Sequence, residues 1–245
     1  MAEGGVKEGS TGDPGESLGI KAILVGATGA IGECLLGELV ASKNYSKIVV
    51  LGRRESQVPE KYGVDQKAEE SSGRLQQHKV DFEQISNDTV GEYFKDKDVF
   101  FCTLGTTRKT AGSAEAFHHI DHDYVVNCAK VARDVGVSSV SYVSSQGANA
   151  NSWFLYPKTK GEVEEALKNL KFKFTSIYRP GLLDRGSKKR FVEKLAGWVV
   201  NSIAVSDVAK AMRVDGEKQV QQKSSETEVT NLYFNDDIRK LCSES

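Results

Sequence analysis

The chain has no apolar run near the roughly 18 residues that a membrane-spanning helix requires. Its opening stretch, MAEGGVKEGSTGDPGESLG, has no apolar core of the kind a secretory signal carries. Net charge is also missing: 33 Lys and Arg stand against 34 Asp and Glu, leaving −1 over 245 residues. Without an excess of positive charge there is no field to gather nucleic acid, which excludes a dedicated DNA or RNA binder. Cysteine is scarce. Cys34, Cys102, Cys128 and Cys242 lie far apart with no C-x-x-C spacing, which excludes a disulfide scaffold and predicts free thiols in a reducing compartment. Residues 1–19 hold six glycines and only Val6 and Leu18 as sizeable apolar side chains, too little burial to order a backbone, and read as a disordered leader. The leader contains no arginine, which argues against an Arg-rich mitochondrial presequence. The expectation is a soluble, cytoplasmic protein, with nuclear or peripheral membrane association compatible with it.

A chain that is 39% hydrophobic and 27% charged suits one sizeable domain, here residues 20–245. From Ile20 onward short apolar runs alternate with helix-like stretches, the pattern of βαβ units and a mostly parallel sheet. Predicted strands are 22–25, 48–51, 76–80, 99–104, 139–144, 174–178 and 228–233. Predicted helices are 31–41, 114–135 and 158–170, with a short final helix. In the first helix Ile31, Leu35, Leu36, Leu39 and Val40 cover one face at a 3.6-residue period. The polar stretch 55–73 reads as a loop. The architecture these elements imply is α/β: a single doubly wound Rossmann domain with a mostly parallel sheet and a small C-terminal substrate-side region.

Gly26, Gly29 and Gly32 form G-A-T-G-A-I-G directly after the first strand and open the first helix. Glycines there turn the chain tightly, let backbone N–H groups approach a pyrophosphate and pack helix against strand. A helix N-terminus then faces the anion. In this context Gly26, Ala27, Thr28, Gly29, Ala30, Ile31 and Gly32 predict a dinucleotide site, although the spacing G-x-x-G-x-x-G fits the general Rossmann template only approximately. The second predicted strand leads into Arg53-Arg54 with no carboxylate before Glu55. This favours the 2′-phosphate of NADP over the free ribose of NAD, with one of the two arginines open to being plain surface. Asp81 either caps a turn or meets the adenine amino group.

Tyr156 and Lys160 stand four residues apart, one above the other on a helix face. An unperturbed tyrosine titrates near pH 10, and an adjacent ammonium favours its phenolate. Such a pair suits proton transfer to a carbonyl oxygen during hydride transfer. Ser144 and Ser145 end a preceding strand, where a hydroxyl can hydrogen-bond the same oxygen.

The order of glycine loop, serine and Tyr-x-x-x-Lys resembles the short-chain dehydrogenase/reductase family over roughly residues 20–240. The strings Leu51-Gly52-Arg53-Arg54, Val80-Asp81-Phe82, Leu104-Gly105-Thr106-Thr107-Arg108, Phe154-Leu155-Tyr156, Lys160-Gly161-Glu162-Val163-Glu164 and Arg179-Pro180-Gly181 resemble its atypical Tat-interacting group. The resemblance implies an NADPH-dependent oxidoreductase acting on a carbonyl-type small molecule, itself unidentified. Tyr156 would be general acid and a serine, Ser145 ahead of Ser144, would polarise the carbonyl. Lys160 would hold the nicotinamide ribose and lower the tyrosine pKa. Leu104 and Gly105 would line the dinucleotide, and Arg179 would enter the nicotinamide side or serve structure. The Tat-interacting group also carries transcriptional, nuclear-transport and growth-control roles, so the rival reading is an NADPH-binding regulator or scaffold with little turnover. After Leu183 the chain is shorter than the family pattern by about one or two helical turns, on the side that covers a substrate.

Other signals point less far. His118, His119 and His122 with Asp121 or Asp123 fall on a predicted helix start and read as solvated or capping groups rather than metal ligands. Lys188, Lys189, Arg190 and Lys194 beside Phe191, Leu195 and Trp198 form a basic amphipathic stretch over 188–200, either a lid helix with a solvated face or a surface for a protein partner or membrane. Cys102 reads as an apolar filler. An extended-type sugar-nucleotide epimerase is set aside because only 65 residues follow Pro180.

Overall fold

A computed structural model describes residues 17–185, 202–222 and 227–244. The expected leader lies outside them but for its last residues, where the Ser17 hydroxyl donates to the Lys43 carbonyl at 2.6 Å. The basic stretch 188–200 also lies outside them.

In chain order the elements are β1 (Ile20–Val25), α1 (Ala30–Ala41), β2 (Tyr45–Gly52), α2 (Gln66–Ser71), β3 (Leu75–Lys79), α3 (Asn87–Phe94), β4 (Val99–Cys102), α4 (Arg108–Ala111), α5 (Ala114–His118), α6 (Tyr124–Asp134), β5 (Ser139–Val143), α7 (Leu155–Asn169), β6 (Phe174–Tyr178), β7 (Leu183–Asp184), β8 (Ile203–Ala204), α8 (Val205–Gln221), β9 (Val229–Tyr233) and α9 (Asn235–Ser243). Seven strands form one sheet in the order β3-β2-β1-β4-β5-β6-β9, and β7 pairs with β8 separately. Every pairing is parallel. β4 is apolar throughout, and β1 is apolar but for Lys21, because helices cover both faces. Alternation still sorts them: Ala22 and Leu24 of β1 enter the core under α1, α8 and α9, while Ile23 and Val25 enter the one under α3, α6 and α7. The strand order reverses between β1 and β4, and at such a switch point an α/β sheet opens a crevice beyond its strand ends.

Two expectations are corrected. The stretch 55–73 is not a plain loop. It contains a 3₁₀ turn (Glu60–Tyr62) and α2, whose N-cap Asp65 accepts the Ala68 N–H, and the Gln66 side chain bonds the Val58 N–H and the Ser56 carbonyl. Local side-chain capping supplies order that apolar periodicity does not register. The expected helix 114–135 is helical through 134 but is interrupted by a π-turn at His119–Asp123. The extra residue turns Asp121 wholly inward, where it finds partners that a uniform 3.6-residue period would deny it.

Candidate active site

Beyond β1 the chain turns at Gly26, which has a φ of +92°. A Cβ there would lie 2.6 Å from the Leu104 nitrogen, and one on Gly32 only 2.1 Å from the Gly26 carbonyl oxygen. Only hydrogens fit, so the ends of β1 and β4 and the first turn of α1 close on one another. The Gly29 N–H donates to Gly26 O at 3.0 Å, and no side chain caps α1. Its first-turn N–H groups, Ala30 to Gly32, therefore have no intrahelical acceptor and form an anion cradle. Ala27 and Ile31 are buried in the core, and Thr28 is half-buried.

Arg53 and Arg54 follow β2, both exposed and without ion-pair partners among the described residues. Asp81 follows β3, and its Oδ1 accepts the Glu83 N–H at 3.0 Å, so this carboxylate caps the turn Phe82–Gln84. Leu104 is half-buried beyond β4 and Gly105 is exposed beside it. A Cβ on Gly105 would lie 3.5 Å from Asp121 Oδ1 and 3.7 Å from Lys160 Nζ, which places that buried pair directly behind the β4 loop.

Lys160, 4% exposed, donates to the Tyr142 hydroxyl at 3.1 Å and pairs with Asp121 Oδ1 at 3.3 Å. Asp121 is 0% exposed, and its Oδ2 accepts the Thr106 N–H at 2.7 Å. Burial alone would discharge Lys160, but Tyr142, Asp121 and Tyr156 outweigh it and hold its pKa above the ordinary lysine value. For the coupled pair we take ionised Lys160 with ionised Asp121, since each is the other's charge partner and Thr106 adds a hydrogen bond. One turn earlier on α7, Tyr156 is 45% exposed, with its ring 6.0 Å from Phe117. The structure thus brings Tyr156 and Lys160 to one helix end as expected, and adds Asp121, Tyr142 and Thr106. Periodicity missed Asp121 because the stretch around it reads as polar surface. An aspartate among solvated histidines carries no sequence mark of burial.

The two serines separate. Ser144 is buried and donates to Glu164 Oε1 at 2.5 Å. Glu164 also receives Arg179 through Nε at 2.9 Å and Nη2 at 2.5 Å, and the guanidinium lies 5.8 Å from the Phe234 ring. Ser144, Glu164 and Arg179 form a closed structural network, so Arg179 takes the structural alternative. Ser145 is half-buried, and its hydroxyl bonds no described residue. Cys102 is fully buried, its thiol pushed up to about 12 by burial, as befits a filler. None of the four cysteines is joined in a disulfide.

A parallel sheet with a glycine cradle at its switch point defines a dinucleotide-binding protein of oxidoreductase-like fold. Residues 26–213 match the NAD(P)H-binding family, and the chain belongs to it. Protein HTATIP2 of Rattus norvegicus is 39% identical over 160 residues, 65% of this chain and 61% of that protein, so the match spans less than two thirds of that relative. Protein FMP52, mitochondrial, of Meyerozyma guilliermondii is 36% identical over 190 residues, 75% of this chain and 76% of that one. A solved structure, "MoeE5 in complex with UDP-glucose and NAD", superposes with a TM-score of 0.63 at 15% identity over 91% of this chain and 81% of that one, a likeness of fold alone. These relatives correct the expected cytoplasmic or nuclear location: the Meyerozyma protein and further fungal relatives are named mitochondrial. The physical reason is that the absence of arginine from residues 1–19 does not decide the compartment to which a chain is delivered.

Proposed function

We propose that the chain is an NADPH-dependent oxidoreductase acting on a carbonyl-type substrate. The observation that carries this reading is the half-exposed Tyr156 phenol one turn from a buried, ion-paired Lys160, at the sheet edge where the glycine cradle opens. The tight Gly26 and Gly32 positions and the uncapped first turn of α1 fit a pyrophosphate. Arg53 and Arg54, exposed beyond β2, suit an added 2′-phosphate. When bound, a reduced nicotinamide supplies a hydride. Tyr156 donates the proton to the carbonyl oxygen, and the Ser145 hydroxyl hydrogen-bonds the same atom. Lys160, fixed by Asp121 and Tyr142, supplies a permanent positive charge beside the phenol. The mitochondrial names of the fungal relatives support a mitochondrial place of action.

A second reading, an NADPH-binding regulator with little turnover, is favoured by Trp153, 100% exposed, and Phe154, 76% exposed, directly before Tyr156. Large apolar rings held in solvent suit a protein contact. One experiment separates the two. NADPH is expected to bind more tightly than NADH, and carbonyl substrates to oxidise it. Tyr156→Phe should retain cofactor affinity and lose turnover by about 10²-fold or more. Unchanged turnover in that variant would remove the mechanism, and tight NADPH binding without oxidation across a broad carbonyl panel would select the regulator.

A further inference from the structure

The π-turn that aims Asp121 inward also gathers side chains that the proposed reaction does not use. The His118 and His122 rings stack, with centres 4.7 Å and planes 26° apart. With Asp123 they offer one donor atom each, all within 4.8 Å of one another. Two sets of neighbours orient these atoms. His118 Nε2 lies 3.2 Å from Glu162 Oε2 on α7, so a neutral ring donating Nε2–H to that carboxylate presents its Nδ1 lone pair, which faces Asp123 Oδ1 at 4.0 Å. Asp123 Oδ2 is engaged by His119 Nδ1 at 2.8 Å, and His119 Nε2 by Glu83 Oε2 at 2.9 Å. That chain leaves Asp123 Oδ1 toward His122 Nδ1, 2.7 Å away. A carboxylate behind the far nitrogen of one ligand and a hydrogen bond behind another are the outer shell that metal sites use to fix their ligands. His118 and Asp123 border a surface hollow of about 490 Å³, also lined by Glu115 and Leu155, with room for a water as a fourth ligand.

We propose that His118 Nδ1, His122 Nδ1 and Asp123 Oδ1 bind one zinc-class divalent ion. Small side-chain rotations bring these separations to the roughly 3.3 Å edge of a tetrahedron with bonds of about 2.0 Å. Two imidazoles and one carboxylate suit Zn²⁺ and disfavour Mg²⁺ and Ca²⁺, which take oxygen shells. The ion joins the end of α5 to α7 through Glu162 and braces the π-turn that presents Asp121 to Lys160. It stands whether or not the protein turns over a cofactor.

The test titrates ZnCl₂ into tag-free, chelator-stripped full-length protein by calorimetry, with Co²⁺ absorption as a second readout. One equivalent of Zn²⁺ is expected to bind and raise the melting temperature, with no response to Mg²⁺. The Co²⁺ complex should show a d–d spectrum without thiolate charge transfer, which separates this site from the partly exposed Cys242. His122→Ala and Asp123→Asn should each abolish stoichiometric binding, with His118→Gln as the companion should either alter the circular dichroism. Glu162→Gln should weaken binding by about 10- to 100-fold. Absence of stoichiometric Zn²⁺ binding, binding untouched by all three ligand variants, or a thiolate band would each overturn the proposal.

Discussion

Removing the Asp121 carboxylate leaves the Lys160 ammonium buried with the neutral Tyr142 hydroxyl as its remaining close partner. Breaking a buried pair from one side costs about 3–5 kcal/mol, because the surviving charge keeps its desolvation penalty. Asp121→Asn, which preserves shape, is accordingly expected to lower unfolding stability by that order in urea titration. Replacing both partners by apolar residues of similar volume should recover much of the loss. The same comparison distinguishes the two serines in kind: Ser144→Ala opens the Glu164 and Arg179 network, whereas Ser145→Ala removes a hydroxyl that bonds nothing in the described structure. Tyr156 and Lys160 were legible in the sequence because their spacing is local and helical. Asp121 was not, since its burial depends on a one-residue insertion into the helix turn and on two distant elements that receive it.

At the scale of elements, the connection that follows β5 and the start of α7 are locked by backbone contact. The Asn149 N–H donates to the Pro157 carbonyl at 2.9 Å, and a Cβ on Gly161 would lie 2.1 Å from the Ala150 nitrogen. Neither backbone can yield as a flexible side chain would. Gly161→Ala is therefore expected to push α7 away from the segment that carries Ser145, costing about 1–3 kcal/mol in thermal or denaturant unfolding. Because the displacement separates Ser145 from Tyr156, turnover should fall further than stability alone accounts for. In the sequence Gly161 is one glycine inside a helical pattern, and Lys-Gly-Glu-Val-Glu marks a family resemblance without its cause. The cause is a close approach between segments, which no local periodicity encodes. The π-turn is silent in the sequence for the converse reason: His119–Asp123 have only middling helix propensity and fit either turn, and tertiary partners choose the wider one.

At the scale of the whole molecule, α8 returns across the sheet and packs on α1 and α9. It buries Asp215 against β6 and β9, where the carboxylate accepts from Ser176 at 2.6 Å, Tyr178 at 2.9 Å, Gln219 at 2.7 Å and Tyr233 at 2.8 Å. Burial holds the Asp215 pKa above the ordinary carboxyl value despite these donors. The folded state therefore keeps this proton to higher pH than the unfolded chain does. The resulting stabilisation is complete below about pH 4, the ordinary aspartate range, and is lost as pH rises through the raised value. Asp215→Asn cannot titrate, so its destabilisation relative to the parent should be largest in acid and should shrink toward neutral pH, read from urea midpoints across that range. A gap that widened with pH would show Asp215 to be held ionised instead.

The sequence by itself determined the parallel α/β architecture, the glycine turn after β1 and the Tyr156–Lys160 pair, because each is written in local spacing: apolar runs of strand length, glycines at a strand-to-helix junction, and two side chains one turn apart. Only the tertiary structure decided which serine is free, that Arg179 serves Glu164, that Asp121 and Tyr142 fix the lysine, and that three histidines and Asp123 share one face of a π-turn. Apart from the cluster on the π-turn, these are contacts between segments far apart in the chain. Burial and desolvation, the forces that set their charge states, exist only once the sheet and its two helical layers have closed.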